Sequence, residues 1–516
     1  KNIIKEYKLN RVIVSSCSPS THEELFQETL REAGLNPYLF DMANIRNQCS
    51  WVHKDDKAAA TEKAKRLTKI AVSKGRLLEP LHSVALNVIQ KAFVIGAGLS
   101  GMTAALSIAN QGFEVVIVER SGRTGGNLNR LDATADGRKV SDYLNGIRDE
   151  VEDHKLIKIY TEAKITDISG YIGNFTTEIH LKREDRDVKY EHGVIIIATG
   201  ANESKPAEYL YGEQENVITQ LEFEESFEKN MNEYRKMKNI VIIQCVGSRD
   251  DDRPYCSRVC CTQSMKNAIR IRELNPKINI HVLYRDIRTY GFNEKYYKKA
   301  RELGVVFARY DLDNKPVVDI DDKQSELKNK GLRVTYRDHI MGMDTVMYPD
   351  RIILSASMVP QEDACEISQM LKIPLNGDNF FMEAHVKLRP VDFSAEGLFL
   401  AGLAHSPKGM EETISQAKAA AERACSIICS DVYMSEAYIA EVDLDMCAGC
   451  GMCVSVCPYG APELFWRNGK EYASINSGLC KGCGSCASVC PSGAMQQLGF
   501  KEEQTLAMLT EALEAW

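Results

Sequence analysis

Eight cysteines near the C-terminus fall on one repeated schedule. Cys447, Cys450, Cys453 and Cys457 precede Pro458, and Cys480, Cys483, Cys486 and Cys490 precede Pro491. Each run reads C-x2-C-x2-C-x3-C-P, the spacing with which thiolates hold a pair of [4Fe–4S] clusters. On that pattern three cysteines of a run bind one cluster and the fourth crosses to the other. One cluster then takes Cys447, Cys450, Cys453 and Cys490, and the other takes Cys480, Cys483, Cys486 and Cys457. Zinc sites and disulfides are the bland alternatives, but zinc favours C-x2-C pairs split by a longer spacer. Such clusters move electrons singly, so a redox protein is expected.

A second chemistry lies at Gly96-Ala97-Gly98-Leu99-Ser100-Gly101. An apolar strand over 92–95 leads into this G-x-G-x-x-G, a helix follows, and a strand over 115–118 ends at Glu119. Gly96 permits the tight turn, Gly98 lets the backbone approach a pyrophosphate, and Gly101 lets helix and strand pack closely. The helix N-terminus presents unpaired N–H groups to the phosphates. Ser100 in this run and Arg120 beside the acid join the expected binding set. Glu119 sits where a carboxylate accepts the adenosine ribose hydroxyls, which disfavours NADP. On this motif alone FAD and NAD both stay open.

Three further stretches favour FAD. Gly125, Gly126, Asn127 and Leu128 follow Glu119 closely, as in flavoproteins with two dinucleotide domains. Val194-Ile195-Ile196-Ile197-Ala198-Thr199-Gly200 reads as a buried strand ending in Ala-Thr-Gly. The segment 397–402, ending at Gly402, is similar to the last flavin motif of that class and precedes a helix starting near Glu411. Such a helix would turn its positive end toward the flavin N1/O2 region. The class usually has Asp after this Ala-Gly, whereas Leu403 stands here, so the ribitol contact must come from elsewhere. Lys408 lies between that strand and helix, where an ammonium could reach the ring edge near N5 and favour the reduced flavin. An exposed loop lysine is the plain alternative. His405 is a weaker candidate for the same place.

The second half-fold lacks a nicotinamide cradle. A strand over 239–244 runs into Cys245-Val246-Gly247-Ser248-Arg249, and the glycine triplet is gone. Cys245, Cys256, Cys260 and Cys261 stand in its place, spaced C-x10-C-x3-C-C. They fit a further [4Fe–4S] site, with a redox disulfide plus buried thiols as the alternative. Strands over 280–284 and 350–355 and a helix over 294–303 complete this half. Arg285-Asp286-Ile287-Arg288 reads as a solvated loop, or else as a docking or phosphate-binding segment.

The elements that position these groups belong to a large acidic chain. Its 516 residues imply several domains, 44% apolar residues suffice for their cores, and the net charge of -8 argues against nucleic acid. Seventeen cysteines clustered at ligand spacings in a chain of this size point to a reducing, cytoplasmic setting. No apolar run reaches transmembrane length, and no secretory leader is apparent. The chain starts at Lys1 inside a helical pattern, so further residues upstream, or on another polypeptide, are expected.

Cys245-Val246-Gly247-Ser248-Arg249 with 255–261, the segment 283–291, Ser16-Cys17-Ser18-Pro19 and the segment 43–53 resemble the HdrA family of heterodisulfide reductase flavoproteins over almost the whole chain. The resemblance implies an α/β, thioredoxin-reductase-like FAD fold, an N-terminal iron–sulfur domain and a C-terminal bacterial-type 2[4Fe–4S] ferredoxin. It also implies a cluster on Cys245, Cys256, Cys260 and Cys261, and an FAD that splits electron pairs between a low-potential and a high-potential acceptor. Cys17 and Cys49 look like N-terminal cluster ligands. Two cysteines cannot complete a four-thiolate site, and buried structural thiols are the alternative. No cysteine lies between Gly126 and Val194, so the inserted ferredoxin domain of the methanogen form is absent.

The expected segments are 1–88 (N-terminal iron–sulfur domain, incomplete), 89–237 and 359–432 (FAD domain), 238–358 (Rossmann-like domain with the cysteine group), 433–500 (ferredoxin) and 501–516. The last is a helix with Leu506, Leu509 and Leu513 at helical spacing, set to pack on the ferredoxin or to dock a partner. Implied partners are subunits of the B and C type (HdrB/HdrC-like), a ferredoxin, and a hydrogenase, formate dehydrogenase or NADH-oxidising module. Homodimerisation of the hub is a further family expectation. A non-bifurcating electron relay and a pyridine-nucleotide disulfide reductase are the competing functions.

Overall fold

The computed structural model describes residues 1–321 and 331–514. They form two compact units, Asn87–Asp431 and Lys1–Leu86 with Val432–Trp516.

The first unit is built on two parallel sheets. Lys91–Ile95, Glu114–Val118 and Val194–Ile197 are runs of apolar residues, the pattern of strands covered on both faces. They lie in one sheet in the order Leu398–Leu400, Val194–Ile197, Lys91–Ile95, Glu114–Val118, Ile157–Tyr160. The helix Leu99–Ala109 is buried almost all round, because it is caught between this sheet and the helix Met410–Ile428. An antiparallel meander, Ala163–Tyr171, Asn174–Leu181 and Arg186–His192, covers the other face. Along Asn174–Leu181 burial alternates residue by residue, and Phe175, Ile179 and Leu181 join the core with Phe93, Val116 and Ile195.

The second sheet is also parallel, in the order Val217–Thr219, Arg351–Ala356, Asn239–Val246, Asn279–Tyr284, Val306–Arg309. The helix Cys260–Leu274 packs on it and carries a buried ion pair. Lys266 Nζ lies 2.5 Å from Glu224 Oε1 and donates to the Ala133 carbonyl at 2.7 Å. Burial lowers the Lys266 pKa, so Glu224 is what keeps an ammonium there acceptable.

The other unit joins the two chain ends. Val12–Ser16 pairs in parallel with Phe40–Asn44. The hairpin Pro462–Arg467/Lys470–Ile475 and the pair Ala440–Val442/Met495–Gln497 frame the paired cysteine runs. The tail helix, Glu502–Glu514, packs along the helix Lys57–Arg76 rather than on the ferredoxin fold. Gln504 Nε2 donates to the Leu77 carbonyl at 2.8 Å and Ser73 Oγ to Glu511 Oε2 at 2.9 Å. Leu506, Leu509 and Leu513 are exposed, so the leucine stripe is not the packing face. Gln504 is the buried residue of this helix, so polar anchors hold it instead. Among the described residues no helix is long and apolar enough to cross a membrane.

Candidate functional site

The glycine turn is held shut by contacts that only glycine allows. A Cβ on Gly101 would stand 1.8 Å from the Gly96 carbonyl oxygen, and one on Gly96, at φ +106°, 2.5 Å from the Ala198 oxygen. Gly125 N–H donates to the Ala97 carbonyl at 2.7 Å, which lays the second glycine pair against the first. Gly126 then comes so near that its Cβ would be 3.2 Å from Gly98 Cα. Glu119, just past its strand, accepts from Ala97 N–H at 2.8 Å and from Ser121 N–H at 2.9 Å. Asn127 donates to the Ala201 carbonyl at 2.9 Å, and Leu128 is buried. Arg120 is exposed and held by Asp363 and Gln361.

Gly402 draws two helix starts together. A Cβ there would lie 2.7 Å from Ser100 Oγ and 3.5 Å from Thr413 Cγ2. Ser100 opens the helix Leu99–Ala109, and Thr413 lies in the first turn of Met410–Ile428. The hydroxyls of Ser100, Thr103, Thr199 and Thr413 are all buried without a hydrogen-bond partner among the described residues. Buried hydroxyls left this way are costly. Two helix N-termini, a glycine-walled turn and a set of orphaned hydroxyls together make a cradle fitted to an anionic dinucleotide such as FAD.

Lys408 is only 7% exposed, which corrects the reading of an exposed loop lysine. Its Nζ donates to the Gly402 carbonyl at 2.6 Å and lies 3.4 Å from His405 Nδ1. Burial, and next the nearby Arg258 charge, push its pKa down to about 7. His405 Nε2 lies 2.8 Å from Glu383 Oε2, and Gln416 Nε2 lies 2.9 Å from His405 Nδ1. The Gln416 oxygen accepts from Gly402 N–H at 2.9 Å, closing a network around this turn. Sequence reasoning missed Glu383 and Gln416. Gln416 carried a signal, standing three residues past Thr413 and next to Ala417, and so at the edge of the buried helix face.

The four cysteines of the second half-fold lie beside that network. Cys260 and Cys261 open the helix Cys260–Leu274, and Cys245 has a left-handed φ of 59°. Each of Cys245, Cys256 and Cys261 is close enough to influence the ionisation of Cys260. Burial raises the Cys245 thiol, and raises Cys261 to about 11. Arg249 Nη1 lies 3.7 Å from Cys245 Sγ. Arg258, between Cys256 and Cys260, donates to the Pro407 carbonyl at 3.4 Å and to Glu412 Oε1 at 2.7 Å. Tyr255 and Val259 pack in one apolar cluster with Leu403. The cysteine loop therefore rests directly on the Gly402–Lys408 turn. All seventeen cysteines are unbridged. Four thiols near enough to influence one another, Cys260 and Cys261 buried and Cys245 and Cys256 half-buried, fit a cluster, which would take them as thiolates.

In the other unit a single cavity is lined by Cys447, Cys450, Cys453 and Cys490. Burial raises the Cys486 thiol, and Cys480 and Cys457 lie near enough to raise it further. Among the described residues no three His, Cys, Asp or Glu side chains converge as a single-ion site; a cubane holds its thiolates farther apart. Cys17 and Cys49 both lie past the same ends of paired strands, whose last register pair is Ser16 with Asn44. The Cys49 thiol donates to the Ala60 carbonyl at 2.8 Å.

Residues 90–243 match the family of pyridine nucleotide-disulphide oxidoreductases, and residues 422–494 match the 4Fe-4S dicluster domain. The chain is 38% identical to a CoB–CoM heterodisulfide reductase iron-sulfur subunit of the A type, the one numbered 2, of Methanopyrus kandleri, over 90% of this chain and 84% of the other. It is 36% identical to the A-type subunit of the H(2):CoB-CoM heterodisulfide,ferredoxin reductase of Methanothermobacter marburgensis, over 99% of this chain and 89% of the other. That alignment runs to 603 positions against 516 residues here, so the relative carries stretches without a counterpart. The A-type subunit of the H(2)/formate:CoB-CoM heterodisulfide,ferredoxin reductase of Methanococcus maripaludis is 32% identical, over 100% of this chain and 91% of its own. Among solved structures, the thioredoxin reductase of T. acidophilum covers 66% of this chain and 100% of its own, at 16% identity and a TM-score of 0.46.

Proposed function

The chain belongs to the HdrA family of heterodisulfide reductase iron–sulfur flavoproteins, and from that premise we propose that it divides electron pairs, or merges single electrons, between two acceptors of unequal potential. It is an FAD-dependent oxidoreductase subunit with a 4Fe-4S dicluster domain. In this reading the dicluster domain serves a low-potential, ferredoxin-type acceptor. A heterodisulfide-reductase-like partner carries the higher-potential acceptor. Two relatives bear names that join H2 or formate to CoB–CoM heterodisulfide and ferredoxin. A hydrogenase- or formate-dehydrogenase-type partner is the corresponding proposal here, in a reducing, cytoplasmic setting.

One observation carries the reading. The cysteine loop sits on the turn that holds Lys408, through Arg258 to Pro407 and Glu412. A cluster on Cys245, Cys256, Cys260 and Cys261 would therefore lie against the flavin cradle, in the half-fold whose nucleotide glycines are missing. Bound FAD supplies the exchange between paired and single electrons. The protein's own part is electrostatic. Lys408 holds or releases a proton at Nζ near neutral pH, one side chain away from Gly402. Glu411 and Glu412 in the first turn of Met410–Ile428 offset part of that helix's positive end, and Arg258 neutralises Glu412. Leu403 packs on an apolar cluster that includes Phe380, beside Tyr255 and Val259.

A potentiometric titration of the whole chain tests the proposal. Division of electron pairs requires the flavin to titrate in a single two-electron wave. Two well-separated one-electron waves would sink it and favour a simple relay.

A further inference from the structure

The strand Asn279–Tyr284 is the second strand of the second half-fold, and Arg285 follows it directly. In the first half-fold the residue in that place is Glu119, directly after Glu114–Val118. In dinucleotide folds an acid there reads ribose hydroxyls, while an arginine nearby accommodates a phosphate on the ribose. The two half-folds thus carry opposite charges at matching positions.

Arg285 does not end in solvent. It lines a cavity of about 440 Å³, well within the roughly 300–1,000 Å³ usual for small-molecule sites. The cavity lies past the carboxyl ends of Asn279–Tyr284 and Val306–Arg309, where open α/β sheets take their ligands. Arg249 and Arg309 contribute two more guanidinium groups, and Tyr284, Tyr297 and Tyr310 contribute aromatic walls. The walls are fixed. Tyr310 OH donates to the Gln244 carbonyl at 2.6 Å, and Tyr297 meets Phe307 edge-on at 4.9 Å.

The charge count leaves a cation over. Asp286 and Asp311 are the acids of the lining. Asp286 is taken by Arg249, with Nη2 to Oδ2 at 3.1 Å, and by Arg288. Asp311 lies 3.9 Å from the exposed Arg309 and 3.3 Å from His339. Arg285 donates only to the Arg249 carbonyl and has no carboxylate partner among the described residues. Three guanidinium groups against two carboxylates, over aromatic walls, suit a planar base bearing phosphate.

We propose that this cavity binds a phosphorylated adenine nucleotide, with Arg285 and Arg309 on the phosphate and the tyrosines on the base. The ligand is an effector and not a hydride donor, because the half-fold has no glycine cradle for the pyrophosphate of a dinucleotide. Arg249 links the cavity to Cys245, so occupancy is felt at the cysteine group.

Isothermal titration of the whole chain with 2′,5′-ADP tests this, with adenosine and inorganic phosphate as separate arms. The expected result is saturable binding at one site per chain, tighter than either fragment, and weakened at least about tenfold (~1.4 kcal/mol) by Arg285→Gln or Arg309→Gln. Arg309 is exposed, so Arg309→Gln folds normally, and unchanged flavin content verifies it. Absence of saturable binding at ~1 mM, or binding that ignores both substitutions, overturns the proposal. Binding of phosphate as tight as that of 2′,5′-ADP also overturns it, because the tyrosine walls would then have no role.

Discussion

Cys447 and Cys490 line the same cavity, although they belong to different cysteine runs. Cys450 and Cys453 complete its sulfur lining. The pairing predicts which losses coincide. Cys450→Ala with Cys490→Ala should remove one cluster, about four iron atoms, and no more. Cys450→Ala with Cys457→Ala should remove about eight, because Cys457 lies near Cys486 of the other run instead. Iron analysis of the two double variants checks this, and equal losses would contradict the crossed arrangement.

Gly101 has no room for a methyl group, with the Gly96 oxygen 1.8 Å from where its Cβ would be. Gly101→Ala should therefore release flavin while leaving the dicluster iron in place. Flavin absorbance after gel filtration, read beside iron content, measures both. Retention of full flavin would show that the turn is not the binding cradle.

Lys408 titrates in an unusual place. Its folded pKa, about 7, lies below the unfolded value of about 10.4, so between them the unfolded chain binds more protons. Its stability penalty is full below pH ~7 and is relieved as pH rises toward ~10. Lys408→Met should flatten that rise in urea denaturation curves taken across the window. In the flavin-bound protein, the midpoint potential of wild type should change slope near pH 7, and that of Lys408→Met should not. The same slope in both proteins would remove Lys408 from the flavin's environment.

Leu403 occupies the position where related flavoproteins carry an aspartate. Here it packs with Tyr255, Val259 and Phe380. Leu403→Asp should cost about 2–3 kcal/mol, measured by urea denaturation, because the carboxylate would enter an apolar cluster. A neutral change with tighter flavin binding would mean that the aspartate site is still present.

Local chemistry was the legible part of this chain. The Gly96–Gly101 turn, the apolar run 194–197 and the cysteine spacings are contiguous signals, and the parallel FAD-type fold and dicluster domain follow from them. Helix and strand limits came within a residue or two, as with the predicted strand over 280–284 and the observed Asn279–Tyr284. Long-range partnerships were not legible. Nothing in the spacing of Lys408 announces that Gly402 and His405 enclose it, or that Arg258 crosses from the cysteine loop to Glu412. The tail helix shows a limit of periodicity. Leu506, Leu509 and Leu513 share a face, yet Gln504 and Glu511 make the contacts. The cavity at Arg285 lay within a basic segment that reads equally well as a solvated loop. Only the fold shows which charges are left unpaired there.

A cluster on Cys245, Cys256, Cys260 and Cys261, standing where a nicotinamide cradle has been lost, is the central claim. Iron and acid-labile sulfide per FAD, measured on the anaerobically purified chain and on its Cys261→Ala variant, test it most directly. The expected result is about twelve iron atoms per FAD, or about sixteen if the N-terminal cysteines also hold a cluster, and about four fewer in the variant. About eight iron atoms in wild type, unchanged by Cys261→Ala, would contradict it.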